Sequence, residues 1–344
     1  MKLTAKKILF AVVSVVMFCC FFSGCEMLGF DGEPPVQGGM SSSSGGSGKG
    51  YPTYEEAAAG SPVTLLMMPE ASGVTVWNSD SGDCSIDVSN IEDGYFMANY
   101  TGEQTGNSTD IKVTVVTSQH RADNQEQYRY NLRQDGEYEA FPLSDGDDYY
   151  LIQVNKRTDG NRYAILLSVE IDVVLEDEFG PFLVPSQYVN YDKNSTALKF
   201  AREISGEATS PLEKVDAVYA YITKNIDYDT EFAEHVLTQD PYGYLPDIDE
   251  TLRTGKGICF DYSAITAAML RSMGIPAKMV HGWAGTVYHA WIMVYTEDTG
   301  WIGVIEFNGS DWIRMDPTFA SSGDSQQLRD FIGDGSNYSD SYWY

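Results

Sequence analysis

The spacing of the apolar residues changes near residue 180, and this change limits the chain to two kinds of structure. From about Ser61 to Asp177 apolar and polar residues alternate, as in Ile111–Val115 and Tyr128–Leu132. A period of two places successive side chains on opposite faces of a strand. Asp-Gly pairs separate these runs, and such pairs suit tight hairpins. We therefore predict an all-β, sandwich-like domain over residues 61–180.

Beyond residue 180 the apolar residues recur at helical spacing. Residues 195–204 carry such a pattern, and Ser210–Glu213 reads as a capping box with proline at the first helical position. A helix over residues 258–273 is followed by four strand-like segments, at 277–283, 289–295, 301–307 and 312–315. Helices that precede an antiparallel sheet indicate an α+β domain, which we place at residues 181–320. Residues 321–344 then form an acidic, tyrosine-rich tail.

The N-terminus has the sequence of an export signal. Three lysines precede an apolar run from Ile8 to Phe22, which is short for a membrane span and typical of a signal peptide. The following Phe22-Ser23-Gly24-Cys25 resembles the bacterial lipobox, so we predict a signal peptide at residues 1–24 and lipidation of Cys25. An ordinary secretory signal, or an uncleaved anchor, stays open at this stage.

Residues 25–60 are predicted to be a flexible tether. Their centre, residues 41–50, consists almost wholly of serine and glycine, which bury nothing and behave as a random coil. Such a segment would hold the domains clear of the headgroup layer. The expected location is therefore the outer face of a bacterial cell membrane, with the lipid as anchor.

The net charge limits the classes of partner. The chain has 50 acidic residues against 22 lysines and arginines, a formal charge of −28. No basic stripe exists to neutralise phosphates, which argues against nucleic acid and against binding an anionic membrane by charge. The sequence has no HExxH, CxxC or phosphate-binding loop, so no metal and no cofactor is predicted.

Three residues suggest chemistry. Cys259 stands at the start of the helix predicted over 258–273, His289 begins a predicted strand, and Asp316 follows another. A thiol nucleophile needs a base, and the base needs a group that fixes its tautomer. Unpaired amides at a helix N-terminus also favour a thiolate and can stabilise an oxyanion. We therefore predict a Cys259-His289-Asp316 triad.

The segments Gly257-Ile258-Cys259, His289-Ala290-Trp291 and Asp316-Pro317-Thr318 resemble the three motifs of the transglutaminase-like superfamily, whose members share a papain-type core. The resemblance covers about Leu212 to Phe319. It implies that Cys259 is the nucleophile, His289 the base and Asp316 its orienter. It also implies an upstream oxyanion donor, for which Tyr228 is the candidate.

The chemistry implied by this resemblance is acyl transfer from an amide. Water as acceptor makes the protein a cysteine peptidase or amidase, and an amine makes it a transglutaminase. The expected substrate is surface protein or wall peptide. Two alternatives remain open. One is a Cys84–Cys259 disulfide, which would block the thiol. The other is a catalytically inactive transglutaminase-like lipoprotein that acts as a surface binding or scaffold protein.

Overall fold

A computed structural model of the chain describes residues 51–119, 127–239, 243–303, 305–307, 312–314 and 336–344. The predicted signal peptide, Cys25 and the serine- and glycine-rich segment lie outside these residues. Within the described part of the chain, no helix is both long and apolar enough to cross a bilayer.

The N-terminal half of the fold is a pair of antiparallel four-stranded sheets. The first has the order β1-β2-β3-β6, with strands Val76–Asn78, Cys84–Asp87, Tyr95–Tyr100 and Glu139–Pro142. The second has the order β5-β4-β7-β8. Its strands, in chain order, are β4 Ile111–Thr117, β5 Tyr128–Asn131, β7 Asp148–Asp159 and β8 Arg162–Val173. Short 3₁₀ turns lie at Ile91–Asp93 and Gly180–Phe182.

Aromatic rings fill the space between these two sheets. Phe141 of the first sheet lies 5.0 Å, centroid to centroid, from Tyr130 of the second, and 5.2 Å from Phe96 beside it. All three side chains are buried. The predicted turns also form, because the glycine of each Asp-Gly pair has positive φ, namely at Gly94, Gly136, Gly146 and Gly160. The sandwich-like β domain is confirmed.

The second half is mixed helix and sheet. Its described helices are α2 Thr196–Ile204, α3 Pro211–Asn225, α4 Thr230–Gln239, α5 Ile248–Thr254 and α6 Cys259–Arg271. Two short strands, β9 Asp227–Tyr228 and β10 Lys256–Gly257, pair in parallel just before α6. The predicted capping box at Ser210 and Glu213 is present, with Pro211 at the first helical position. The α+β fold class is thus confirmed.

The helix α6 lies at the centre of this half. All 13 of its residues are buried. It packs against β11 Ala277–Ala284 and β12 Val287–Thr296 on one side, and against α2, α3 and α5 elsewhere. The sheet beneath it has the order β13-β12-β11-β16, with β13 at Gly300–Gly303 and β16 at Tyr338–Trp343. A separate hairpin pairs β14 Ile305–Phe307 with β15 Trp312–Arg314.

Two predicted boundaries are wrong. The tether was placed up to residue 60, but Tyr54–Ala58 is a helix (α1) with a complete capping box between Thr53 and Glu56. It packs on α2, where the Lys199 ammonium donates to the Ala58 carbonyl. Buried Ala57 anchors this helix, so residues 54–58 belong to the folded part of the chain and not to the predicted tether.

The described end of the predicted tail, residues 336–344, is also part of the fold. Strand β16 pairs with β11 and extends the sheet under α6, and Tyr344 exchanges two backbone hydrogen bonds with Met279. The polar sequence Ser339-Asp340-Ser341 lacks an apolar alternation because this is an edge strand whose side chains are exposed or half-buried. The sheet under α6 therefore includes residues beyond 320.

Arg271 joins these distant segments at the C-terminal end of α6. Its guanidinium is fully buried and donates to the carbonyl oxygens of Val184, Ala277 and Tyr344 at 2.6–2.9 Å. Burial lowers the pKa of Arg271 to about 10, so the group is still charged at neutral pH. The Arg271 side chain thus links three segments: β11, the end of β16 and the residues around Val184, which follow the β sandwich.

We expect Arg271→Met to destabilise the protein strongly. The substitution leaves three buried carbonyl groups without this donor, at a cost of roughly 1–3 kcal/mol for each group left unsatisfied. Urea unfolding followed by circular dichroism measures the loss. The matched control is Arg253→Met on α5, which removes only an exposed ion pair with Glu250 and should change the stability by less than about 1 kcal/mol. Equal stability of the two variants would contradict the role given to Arg271.

Candidate active site

Cys259 is the first residue of α6, and its thiol is unbridged. The side chain is 7% exposed, which leaves it at the boundary between core and surface. The amides of the first helical turn have no partner within the helix, and they carry the positive end of its dipole. Amides placed in this way can donate hydrogen bonds to an oxyanion.

Asp261 fixes the start of the helix. The residue before Cys259 is Ile258, whose side chain cannot cap, so the Asp261 carboxylate accepts the Ile258 amide at 2.8 Å. The Tyr244 hydroxyl donates to the other oxygen of Asp261 at 2.6 Å. Burial is the main cause that raises the pKa of Asp261, to about 6, and the charges of Asp247 and Asp229 add to it. Burial and the Asp261 charge raise the pKa of Tyr244.

The backbone before Cys259 runs beside Tyr228. Strands β9 and β10 pair so that Tyr228 lies opposite Gly257, two residues before the thiol. Gly257 admits no side chain, because a Cβ there would come within 2.7 Å of the Asp261 Cβ. The Tyr228 backbone therefore lies beside the backbone that leads into Cys259. The role of Tyr228 as an oxyanion donor stays a prediction.

His289 lies on β12, one of the strands that pack against α6. It pairs with Gly282 of β11 and is 5% exposed. Its imidazole stacks near Trp291 at 6.2 Å. Because directly paired residues share a face of the sheet and neighbours alternate, this register puts His289, Gly282 and Trp291 on one face.

His281 occupies the other face of the same sheet. Its ring lies 4.8 Å from Phe260, the residue after Cys259. Burial lowers the pKa of His281 to about 3, and His289 nearby adds to the effect. A general base works best when its pKa is near the operating pH, so His281 is unsuited to that role. His289 remains the predicted base.

Asp316 lies outside the described residues, as do the two residues that follow it in the third motif. Strand β15, Trp312–Arg314, is the last described element before it. The Asp316 role as orienter of His289 therefore stays a prediction, and so does the triad as a whole.

The disulfide left open by the sequence does not form. Cys84 and Cys259 are both free. Cys84 is fully buried in β2, opposite Tyr100, and burial raises the pKa of its thiol. Cys84 is thus a core residue of the sandwich, and no disulfide blocks the Cys259 thiol.

Comparison with known proteins gives a family match for part of the second half of the chain. Residues 198–317 match the family model described as "Transglutaminase-like superfamily". The chain thus contains a transglutaminase-like domain. The matched span includes Cys259, His289 and Asp316, and it excludes the β sandwich and β16.

Individual relatives match over part of their length. The chain is 28% identical over 122 residues to the uncharacterized protein YebA of Bacillus subtilis (strain 168), covering 30% of this chain and 16% of that protein. It is 32% identical over 103 residues to kyphoscoliosis peptidase of Mus musculus, covering 26% and 15% respectively. The chain therefore spans about a sixth of the length of these curated relatives.

Among solved structures, a protein of Cytophaga hutchinsonii named as a candidate cysteine protease aligns with a TM-score of 0.32 and 17% identity. The alignment covers 65% of this chain and 71% of that one.

Sequence reasoning did not identify Tyr244 or His281 as residues near Cys259. Tyr244 stands 15 positions before Cys259 with no motif around it, and its hydrogen bond to Asp261 exists only because the chain between them folds back. His281 has the spacing of a core strand residue. A capping role for Asp261 was foreseeable, since it is the third residue of a helix whose N-cap has no acceptor.

The raised pKa of Asp261 predicts a pH-dependent contribution to stability. Between 3.8 and about 6 the folded state binds more protons than the unfolded state, so stability falls as pH rises through this window. Relative to Asp261→Asn, which does not titrate, the wild-type protein should lose about 2 kcal/mol from pH 4 to pH 7.5, because the unfolded-state carboxyl is already more than half ionised at pH 4. Urea unfolding at both pH values measures the difference.

The matched control for this series is Asp216→Asn on the exposed side of α3, which gives the general effect of removing one acid. A stability difference between wild type and Asp261→Asn that stays constant, or that grows in favour of the wild type with pH, would contradict the assignment.

Proposed function

We propose that this chain is a thiol enzyme that transfers acyl groups from amides, with Cys259 as nucleophile, His289 as base and Asp316 as its orienter. The observation that carries the proposal is the position of Cys259: an unbridged thiol at the N-terminus of a fully buried helix, inside a domain that matches the transglutaminase-like family. A buried helix cannot move its first residue, so the nucleophile is held rigidly.

In the proposed reaction the Cys259 thiolate attacks the carbonyl carbon of an amide. Negative charge develops on the oxygen and is stabilised by first-turn amides of α6, with Tyr228 as a further donor. The C–N bond then breaks, the His289 imidazolium gives its proton to the departing amine, and a thioester remains on Cys259. Water or an amine attacks the thioester, loses its proton to His289, and releases the thiolate.

The acceptor decides the class of enzyme. Water gives a cysteine peptidase or amidase, and an amine gives a transglutaminase; we favour hydrolysis. The substrate we propose is a surface protein or a wall peptide, with the enzyme exported and held at the outer face of the cell membrane by a lipid on Cys25. The acid-rich composition supports the lipid, rather than surface charge, as the anchor.

The reactivity of Cys259 tests the proposal without a substrate. We expect iodoacetamide to alkylate Cys259 rapidly in the full chain, with labelling that persists below pH 6, as peptide mass spectrometry would show. His289→Ala should abolish the reactivity at low pH, because the imidazolium partner of the thiolate is lost. His281→Ala is the matched control on the opposite face of the sheet. Cys84, buried in the sandwich, serves as an internal control in every sample.

Three results would overturn the assignment. Labelling of Cys259 only above pH 8 would mean that no thiolate–imidazolium pair exists, and a surface binding or scaffold role would take its place. Loss of low-pH labelling in His281→Ala but not in His289→Ala would move the base to the other face of the sheet. Full amidase activity in Cys259→Ala would exclude thiol chemistry altogether.

A further inference from the structure

A cleft of about 770 Å³ lies between the β sandwich and the transglutaminase-like domain. One wall is the polar face of the β5-β4-β7-β8 sheet, where Lys112, Thr114 and Arg129 alternate with the buried residues Val113 and Tyr130 of the opposite face. The other wall is formed by aromatic side chains of the second domain. The strand order makes β5, which carries Arg129, an edge strand of this sheet.

The charge of this cleft is opposite to that of the chain. Acidic residues outnumber basic ones by 50 to 22 in the sequence. Among the described residues that line the cleft, however, three are cationic (Lys112, Arg129 and Arg157) and none is acidic. A concave surface with charge of one sign concentrates the opposite sign. The cleft is therefore suited to an anion.

The three cationic side chains differ in the polar partners that they already have within the protein. Arg157 forms an ion pair with Asp110 at 3.1 Å, and the Lys112 ammonium donates to the Asn131 side chain at 2.8 Å. Arg129 is exposed on the edge strand and has no ion pair within the residues that the structure describes. Arg129 is thus the group best placed to meet a carboxylate.

The aromatic wall leads to the proposed active site. His281 and Tyr288 both line the cleft, and their rings lie 4.8 and 6.4 Å from the ring of Phe260, next to Cys259. Tyr288 is also the residue before His289. A molecule that fills the cleft would therefore rest against Tyr288, the neighbour of the proposed base, and against the His281 ring that packs on Phe260.

His281 adds a polar atom without a partner. It is 3% exposed, and its Nε2 has no hydrogen-bond partner among the described residues. Buried polar groups in proteins are nearly always satisfied, so an exception in a cleft wall points to a ligand. Amide side chains of Asn131, Gln153 and Asn155 on the opposite wall match the donors and acceptors of a peptide backbone.

We infer that this cleft binds an acidic peptide segment of the substrate and presents the neighbouring amide to Cys259. The inference rests on the proposed function for its chemistry, while the binding itself does not require a reactive thiol. Carboxylates of the peptide meet Arg129 and Lys112, and its backbone lies against the amides and tyrosines. The β sandwich is then the part of the protein that selects the substrate.

Fluorescence anisotropy tests the inference with a labelled heptapeptide that carries two glutamates around a central glutamine. The comparison peptide has glutamine in place of both glutamates. The full chain with Cys259→Ala should bind the acidic peptide at least fivefold more tightly than the neutral one, and salt should weaken only the acidic peptide. Arg129→Gln should reduce the affinity for the acidic peptide about fivefold and leave the neutral peptide unchanged.

The matched control is Lys224→Gln, which removes one positive charge from an exposed position of α3 outside the cleft. Equal loss of affinity in Lys224→Gln and Arg129→Gln would overturn the inference, as would equal affinity for the two peptides. Tighter binding of an anionic glycan than of the acidic peptide would assign the cleft to a different ligand. The alkylation of Cys259 is independent of all these outcomes, so a failed cleft and a failed thiol mechanism can be told apart.

Discussion

The complete burial of α6 is the constraint on which the rest of the second domain depends. A helix of 13 residues is about 20 Å long, and here every turn is covered, by a sheet on one side and by other helices elsewhere. Its two ends must therefore be satisfied by fixed partners. At the C-terminal end the carbonyl groups of Leu270 and Arg271 accept amides of residues 273–275, and at the other end Asp261 accepts the amide of Ile258. Cys259 is held in place as a consequence.

The same burial sets the electrostatics around the thiol. It raises the pKa of Asp261 and lowers that of His281, so that both groups tend toward their neutral forms. Asp261 accepts the hydrogen bonds that fix the start of α6, and His281 packs as a buried ring against Phe260. The packing that stabilises the fold thus also sets the charge of the ionisable groups near Cys259.

The two faces of the β5-β4-β7-β8 sheet differ in chemistry. The inner face belongs to a closed aromatic core, whereas the outer face carries Lys112, Arg129 and Arg157 in a strongly acidic chain. That face turns toward the transglutaminase-like domain across the cleft. The two halves share one continuous set of buried side chains, which runs from Tyr130 through Tyr188 and Tyr344 to the helices. Their relative position is fixed by this packing.

Much of the fold could be predicted from local pattern. The strands at 111–117 and 128–131, the capping box at Ser210 and the helix from Cys259 form where the sequence indicates, because period, capping and turn residues act within a few positions. Strand β16 could not be predicted, since an exposed edge strand needs no apolar alternation. The capped helix Tyr54–Ala58 was not predicted, because the serine- and glycine-rich residues before it led to a predicted tether that includes residues 54–58.

The sequence by itself determined the order of elements, the class of each half and the family motifs around Cys259 and His289. The tertiary structure alone decided that Cys84 and Cys259 stay apart, that Tyr228 runs beside Gly257, that Tyr244 meets Asp261, and that two distant walls enclose a cationic cleft. The physical reason is the separation along the chain over which each effect acts. Propensity, capping and turns depend on neighbours in the chain, whereas burial, pKa and cleft charge depend on residues that come together only when the core has packed.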